Sequence, residues 1–363
     1  MAYASITKPS LHFNTNLYTG NNSNTAHTGI GFQPDLVWLK VRNASGAHYL
    51  FDATRGANKD INSSDNTAEY TATQNLMSFD SDGYTVGTSN SVNTNGETMV
   101  GWNWKAGTGA GTSNTDGSIN TTYTSVNTTA GFSISKYTGT GSSATVGHGL
   151  GVRPDVAITK RLDDTQNWVI QTIGSEDSSP YKSGFSSNDA NLGFNLDRQV
   201  SGSESVGDNR ASTLSSTTVR NIGTSNEVNA SGGTYVSYVF KSIKGFSKIG
   251  SYVGNGETTK GSFVYTGFKP AFVLVKAYDT ASREWVIIDN KRNGFQPNNY
   301  RLFPRISNAE DTTADIMDLL SNGFKCKSNN NATNQAGVGY FYMAFAEEPL
   351  VANVGASIPA TAR

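Results

Sequence analysis

The sequence predicts an all-β protein made of three tandem antiparallel β-sandwiches of jelly-roll or lectin-like type, and three observations lead there. Ser (41), Thr (40), Asn (37) and Gly (38) together make 156 of 363 residues, or 43%, against 16% charged. Turn formers and strand formers at that density argue for short strands joined by turns, since helices use Ala, Leu, Glu and Lys on their exposed faces. An ordered set of markers recurs three times at a period of 115 to 120 residues, the size of one domain. Within each period short, half-alternating apolar runs are punctuated by turn signals every 8 to 12 residues or so, the profile of a sandwich.

Each unit opens with a strand that runs into a glycine turn: Leu17-Tyr18-Thr19-Gly20, Lys136-Tyr137-Thr138-Gly139 and Ser251-Tyr252-Val253-Gly254. A Gly-x-x-Pro corner follows and feeds a central apolar strand: Gly31 to Lys40, Gly151 to Lys160 and Gly267 to Lys276, with prolines at 34, 154 and 270. Proline lacks an N–H, so it can start a strand but cannot sit inside a ladder. The next expected strand carries a large aromatic, aligned as Tyr49-Leu50-Phe51, Trp168-Val169-Ile170 and Trp285-Val286-Ile287-Ile288. In units one and three Asp52-x-x-Arg55-Gly56 and Asp289-x-x-Arg292-x-Gly294 come next and read as turns. A polar stretch holds the single expected helical piece, Ala314 to Leu320, before a residue-Gly hairpin turn at Phe79 to Val86 and Leu319 to Cys326. Unit two departs here, offering only Val219 to Gly223 within a longer insert. Alternating aromatic strands close the units at Thr98 to Trp104, Thr234 to Phe240 and Gly339 to Phe345.

The predicted boundaries are 1–107 for unit one, 131–243 for unit two with its insert at 188–231, and 244–363 for unit three. Residues 108–130 form a Gly/Thr/Ser/Asn-rich linker, flexible by composition, which Ile119 and Tyr123 can pin in part.

A formal net charge of -1 without any basic run leaves no field for a phosphate backbone, so no nucleic-acid partner is expected. Cys326 stands alone, and His12, His27, His48 and His148 are scattered, which excludes an intramolecular disulfide and a Cys/His zinc cluster. Met1 to Phe13 lacks a basic leader with an apolar run, and no window approaches the roughly 20 apolar residues of a spanning helix. Synthesis in a cytoplasm, without export by a standard signal and without membrane insertion, is the expectation.

No catalytic residue and no cofactor is assigned. Serines near glycines at Gly139 to Ser142 and Gly202 to Gly207 do not sit between a strand and a helix, and His148 is not repeated between units. Gly250 to Gly256 lacks the Gly-Lys-Ser/Thr of a phosphate loop. Paired carboxylates, which suffice to cleave a glycan, are the enzymatic option. Asp163, Asp164, Glu176 and Asp177, and then Glu310, Asp311, Asp315 and Asp318, cluster in turn-like stretches and read as solvated surface. Asp80-x-Asp82-Gly83 has the alternating carboxylates of a calcium turn without its distal Glu, and reads as a plain Asp-Gly turn. The five tryptophans fall in predicted strands and belong mostly to core, while Tyr278 and Tyr300, in predicted loops, are the candidates for glycan contact. Repetition multiplies weak contacts more readily than intact catalytic sites, which favours binding or assembly over catalysis.

At Gly245-Phe246-Ser247-Lys248 to Gly256, Phe263-Val264-Tyr265-Thr266-Gly267-Phe268-Lys269-Pro270-Ala271, Ile288-Asp289-Asn290-Lys291-Arg292, Leu320-Ser321-Asn322-Gly323-Phe324-Lys325 and Tyr342-Met343-Ala344-Phe345-Ala346-Glu347 the chain resembles the virion-associated repeat proteins of marine tailed bacteriophages, a tail-fibre or concanavalin A-like lectin group of unassigned function. The likeness covers nearly the whole chain and is loosest in the unit-two insert. It implies a virion protein, a tail fibre or receptor-binding adhesin contacting host surface glycans. The alternatives are a capsid decoration or head-fibre protein and a polysaccharide depolymerase. Expected partners are other virion proteins and host cell-surface polysaccharide, in a homo-oligomer such as a trimer or in a pseudo-threefold monomer.

Overall fold

The computed structural model describes residues 4–172, 191–197, 216–293, 300–313 and 315–350, and these are built almost wholly of antiparallel strands. Unit one supplies β1 (Phe13–Thr19), β2 (Thr25–His27), β3 (Leu36–Val41), β4 (Tyr49–Asp52), β5 (Lys59–Asn62), β6 (Tyr70–Thr71), β7 (Leu76–Asp80), β8 (Gly83–Val86), the one-turn helix α1 (Asn90–Asn93) and β9 (Thr98–Trp104). Unit two supplies β10 (Tyr123–Asn127), β11 (Phe132–Thr138), β12 (Ala144–Gly147), β13 (Val156–Arg161), β14 (Val169–Thr172), β15 (Asn191–Leu192), β16 (Val219–Ile222), α2 (Asn226–Asn229) and β17 (Thr234–Phe240). Unit three supplies β18 (Ser247–Val253), β19 (Phe263–Tyr265), β20 (Phe268–Ala277), β21 (Val286–Asp289), α3 (Asn290–Asn293), β22 (Met317–Leu320), β23 (Gly323–Cys326) and β24 (Gly339–Pro349).

Three large sheets contain the same run of neighbours: β1-β9-β3-β4, β11-β17-β13-β14 and β18-β24-β20-β21. Small sheets, β2-β8-β7, β12-β16 and β19-β23-β22, accompany them. The central strand β3 is buried along its whole length because its two faces have different partners. Val37, Leu39 and Val41 pack on Leu76, Tyr84 and Val86 of the small sheet, while Leu36 and Trp38 point into a second core. That second core draws on all three units and holds every tryptophan of the chain, joined by Phe13, Phe132, Phe272 and Phe345 among others. Burial on both faces explains the unbroken apolar runs of the central strands.

The repeated markers do the same work in each unit. Hydroxyls of Tyr18, Tyr137 and Tyr252 donate to the carbonyls of Val92, Val228 and Thr333 at 2.6, 2.7 and 2.6 Å. Two residues on, a Cβ at Gly20, Gly139 or Gly254 would lie 2.1 to 2.4 Å from a backbone oxygen of the loop before the closing strand, so only glycine fits there. Three asparagines, Asn93, Asn229 and Asn334, tie that loop down: each accepts from the backbone N–H of residue 21, 140 or 255 and donates to carbonyls on both sides.

Contacts between units follow a cycle. Unit one reaches unit two where Gln166 N–H donates to Asn66 O at 2.9 Å; unit two reaches unit three where Ser282 N–H donates to Asp197 O at 2.9 Å; unit three returns to unit one where Gly46 N–H donates to Ser307 O at 2.8 Å. The same three carbonyls accept from the ammonium groups of Lys160, Lys276 and Lys40, at 3.3, 3.4 and 3.5 Å. Those lysines hold one position of the repeat and are fully buried. Four residues before each accepting carbonyl, the backbone of Asn62 and Gly193 accepts the indole N–H of Trp168 and Trp285 at 2.7 and 2.9 Å, and the backbone of Phe303 faces His48.

Burial lowers each of the three lysines from 10.5 to about 8, the desolvation of the ammonium outweighing nearby carboxylates such as Glu310, Asp65 and Glu284. The folded value lies below the unfolded one, so between these values the unfolded chain binds more protons and stability rises with pH. We expect the melting temperature to climb from pH 8 to pH 9 in a calorimetric series, and the Lys40→Met variant to climb less steeply. A flat or falling profile across that window contradicts the burial argument.

Three sequence expectations are corrected by the fold. Residues 108–130 are not a loose linker: Asp35 accepts from the N–H groups of Ala106, Thr108 and Gly109, Ile119 is buried and bridges Val146, and β10 pairs along β11. The expected helix at Ala314 to Leu320 is instead strand β22 over residues 317–320, because Met317 to Leu320 pair with Cys326 to Gly323 and long-range pairing overrides a weak local preference. The aromatic alignment in unit one slips by one residue. Cross-strand partners place His48, not Tyr49, level with Trp168 and Trp285, and the missing indole is supplied by Trp38, whose Nε1 donates to His48 Nδ1 at 3.0 Å. Within the insert at 188–231, residues 188–190 and 198–215 lie outside the described residues, as do Glu176 and Asp177.

Candidate functional site

Equivalent positions in the three units allow an internal comparison that separates what the fold needs from what one unit adds. Strand β19 is an edge strand whose residues alternate exposed, buried, exposed: Phe263, Val264, Tyr265. Its pairing with β23 sets Phe263 level with Ala26 in unit one and Thr145 in unit two, and Tyr265 level with Thr28 and Gly147. The inward residue is Val264, matched by His27 and Val146. Small side chains thus suffice outside in units one and two, whereas unit three places a phenylalanine and a tyrosine there with 49% and 51% of their surfaces in water. The shared fold does not demand exposed rings at positions where sibling units do without them, and exposed aromatic area of this kind is what a contact surface offers.

Charge follows the same pattern. Lys248 on β18 stands where units one and two have Asn14 and Ser133, and Lys325 stands across from Phe263 where they have Thr85 and Asn221. The Lys248 ammonium donates to Tyr265 O at 2.7 Å and lies 5.5 Å from the Tyr265 ring centroid, a cation–π distance. The Lys325 ammonium donates to Thr259 O at 3.3 Å. Alongside Tyr265 opens a groove of about 370 Å³ lined by Ser242, Lys244, Gly245, Ser247, Lys248, Thr266, Gly267 and Leu350. An aromatic rim with two ammonium groups at its side can hold a ring with one apolar face and polar edges.

Residues 8–349, which span this fold and this face, match the family described as Domain of unknown function (DUF7483). The chain belongs to that family. No curated protein and no solved structure matches the chain.

The residues singled out from sequence fall elsewhere. Tyr278 extends β20 and is 7% exposed, its ring lying over Gly339, where a Cβ would come within 2.3 Å of it; it has no free face for a sugar. Burial, with Asp279 adding to it, raises its hydroxyl above the ordinary value. Tyr300 is half-buried beside the Arg301–Asp311 ion pair, away from the lining of the groove. Asp80 accepts from the hydroxyls of Ser78 and Thr85, and Asp82 accepts from the N–H groups of Gly29 and Gly31 at 2.9 and 2.6 Å. Those carboxylates brace a hairpin and the Gly-x-x-Pro corner, and among the described residues no group of three or more His, Cys, Asp or Glu could hold a metal.

The other described carboxylates, Asp315 apart, are likewise in use. Asp163 and Asp164 pair with Arg161, Asp311 with Arg301, and Asp318 with Lys327. Glu310 sits at the seam between units three and one, bound by both Arg42 and Arg292. All five tryptophans are core. Sequence reasoning missed Phe263 and Tyr265, although Phe-Val-Tyr alternates as an outward-facing pair should; the signal becomes readable once its counterparts Ala26/Thr28 and Thr145/Gly147 are known.

Proposed function

We propose that this protein is a bacteriophage virion component, three tandem β-sandwich repeats closed into a pseudo-threefold knob, that serves as a tail-fibre or receptor-binding adhesin and holds host surface glycan on unit three. The observation that carries the reading is the exposed Phe263/Tyr265 pair, with Tyr265 lining a groove edged by Lys244 and Lys248, a pair absent from the equivalent positions of the other two units. A pyranose offers a patch of C–H groups that stacks on an aromatic ring and hydroxyls that bond to groups around it, and this face offers both complements. The virion assignment itself rests on the resemblance at unit three. The cyclic seams support a knob made within one chain, in which the contacts a homotrimer makes between subunits are made between repeats.

Tyr265→Ala is expected to reduce binding to whole host cells or their purified surface polysaccharide by about ten- to a hundredfold, a loss of about 1–3 kcal/mol for one stacking ring. The melting temperature should stay unchanged because the ring is half in water. Unaltered cell binding by the Phe263→Ala/Tyr265→Ala variant contradicts the assignment of this face. A structural role as a capsid decoration or head-fibre protein is the second reading, favoured by the same closed cycle, and it predicts no glycan binding at all.

A further inference from the structure

We infer that the unit-three face selects an acidic polysaccharide, one whose sugars carry carboxylates, and this inference rests on the glycan-binding reading above. Charge distribution is the first argument. The chain as a whole is almost neutral, yet nine of its sixteen lysines lie between residues 241 and 327. Those at the candidate face are additions peculiar to unit three: Lys248 replaces the Asn14 and Ser133 of its siblings, and Lys325 replaces Thr85 and Asn221. The other two units accept neutral side chains at these places, so the added charge is a property of this face of unit three.

Their placement is the second argument. Lys248 is held against the Tyr265 ring by its bond to the Tyr265 carbonyl, and Lys325 is fixed level with Phe263 by strand pairing and by its bond to Thr259 O. Each exposed ring therefore has an ammonium group at its side. A sugar stacked on such a ring presents its ring substituents outward, toward the neighbouring ammonium, where a carboxylate gains a charge-assisted hydrogen bond and a neutral hydroxymethyl group gains far less. Lys244 continues the positive edge along the groove beyond Tyr265. Two ring-plus-ammonium pairs whose rings both lie on β19, with a third lysine in the groove, fit a chain of acidic sugars better than a single residue.

The test uses the full chain and two probes, polygalacturonate and the same polymer with its carboxylates reduced to alcohols, with binding followed by interferometry at low and high salt. The inference predicts binding to polygalacturonate that weakens with salt, about tenfold weaker binding to the reduced polymer, and about tenfold loss in Lys248→Gln/Lys325→Gln with an unchanged melting temperature. Equal affinity for the two polymers, or a lysine variant indistinguishable from the parent, overturns it. Binding to host cells with no preference for the acidic polymer overturns the acidic selectivity alone and leaves the adhesin reading in place. Binding neither to cells nor to either polymer overturns both.

Discussion

Replacing Asp289 with alanine should destabilise the folded protein by about 3–5 kcal/mol, measured as a fall in the denaturation midpoint, because it leaves a buried guanidinium short of its main partner. Asp289 and Arg292 are both fully buried, and Arg292 Nε donates to Asp289 Oδ2 at 2.6 Å while its other nitrogens reach Ile287 O and Glu310. The same carboxylate accepts the indole N–H of Trp102, 187 residues away in unit one, at 2.9 Å. Asp52 and Arg55 repeat the arrangement, with Leu50 O and Glu69 as the remaining acceptors and the Tyr238 hydroxyl of unit two as the distant donor at 2.7 Å. Strand pairing puts Thr172 at the acidic position in unit two and Met343, which has no donor, at the position of Trp102 and Tyr238 in unit three. Acid and donor are lost together at that seam, as expected if each exists for the other.

A second substitution separates loss of a pair from loss of packing. Adding Arg292→Met to Asp289→Ala removes the stranded charge and should recover a large part of the stability, since apolar replacements of buried ion pairs are often neutral. If the double variant is as unstable as the sum of its single changes, the pair is not the unit of stabilisation described here.

Phe194→Ala should cost a similar amount, about 3–5 kcal/mol, through the cavity it opens. Its ring is 1% exposed and touches Trp38, Trp168 and Trp285, one from each unit, at centroid distances of 5.2, 5.4 and 5.2 Å. Ser63 and Pro304 occupy the corresponding places in the other two seams, so a single phenylalanine fills the space where three units meet. The expected signature is a red shift of tryptophan emission together with the lost stability, as water reaches three indoles at once. A loss below about 1 kcal/mol with unchanged emission shows that the three units do not share one core there.

Much of this fold could be read from the sequence, and the parts that could not share a physical cause. The Tyr-x-Gly and Gly-x-x-Pro markers were legible because proline and glycine carry their reasons locally: a missing N–H, or a backbone oxygen too close for a Cβ. Asp52-x-x-Arg55 and Asp289-x-x-Arg292 passed as turns because the donors that give them meaning, Tyr238 and Trp102, lie some 190 residues away. In unit one the indole stands across a strand pair from position 48, on Trp38, a compensation that only cross-strand register reveals. Tyr278 resembled a loop residue because it follows the end of an apolar run, yet it packs onto a glycine of the neighbouring strand. The candidate face was hidden for the opposite reason: Phe263 and Tyr265 look like ordinary strand aromatics until the register shows which side of the sheet they occupy.

Locating the protein on intact particles with gold-labelled antibody tests the central claim most directly. The adhesin reading predicts label at the tail or its fibres, with access blocked when particles are first bound to host polysaccharide. Label distributed over the capsid lattice contradicts it and makes the chain a decoration protein.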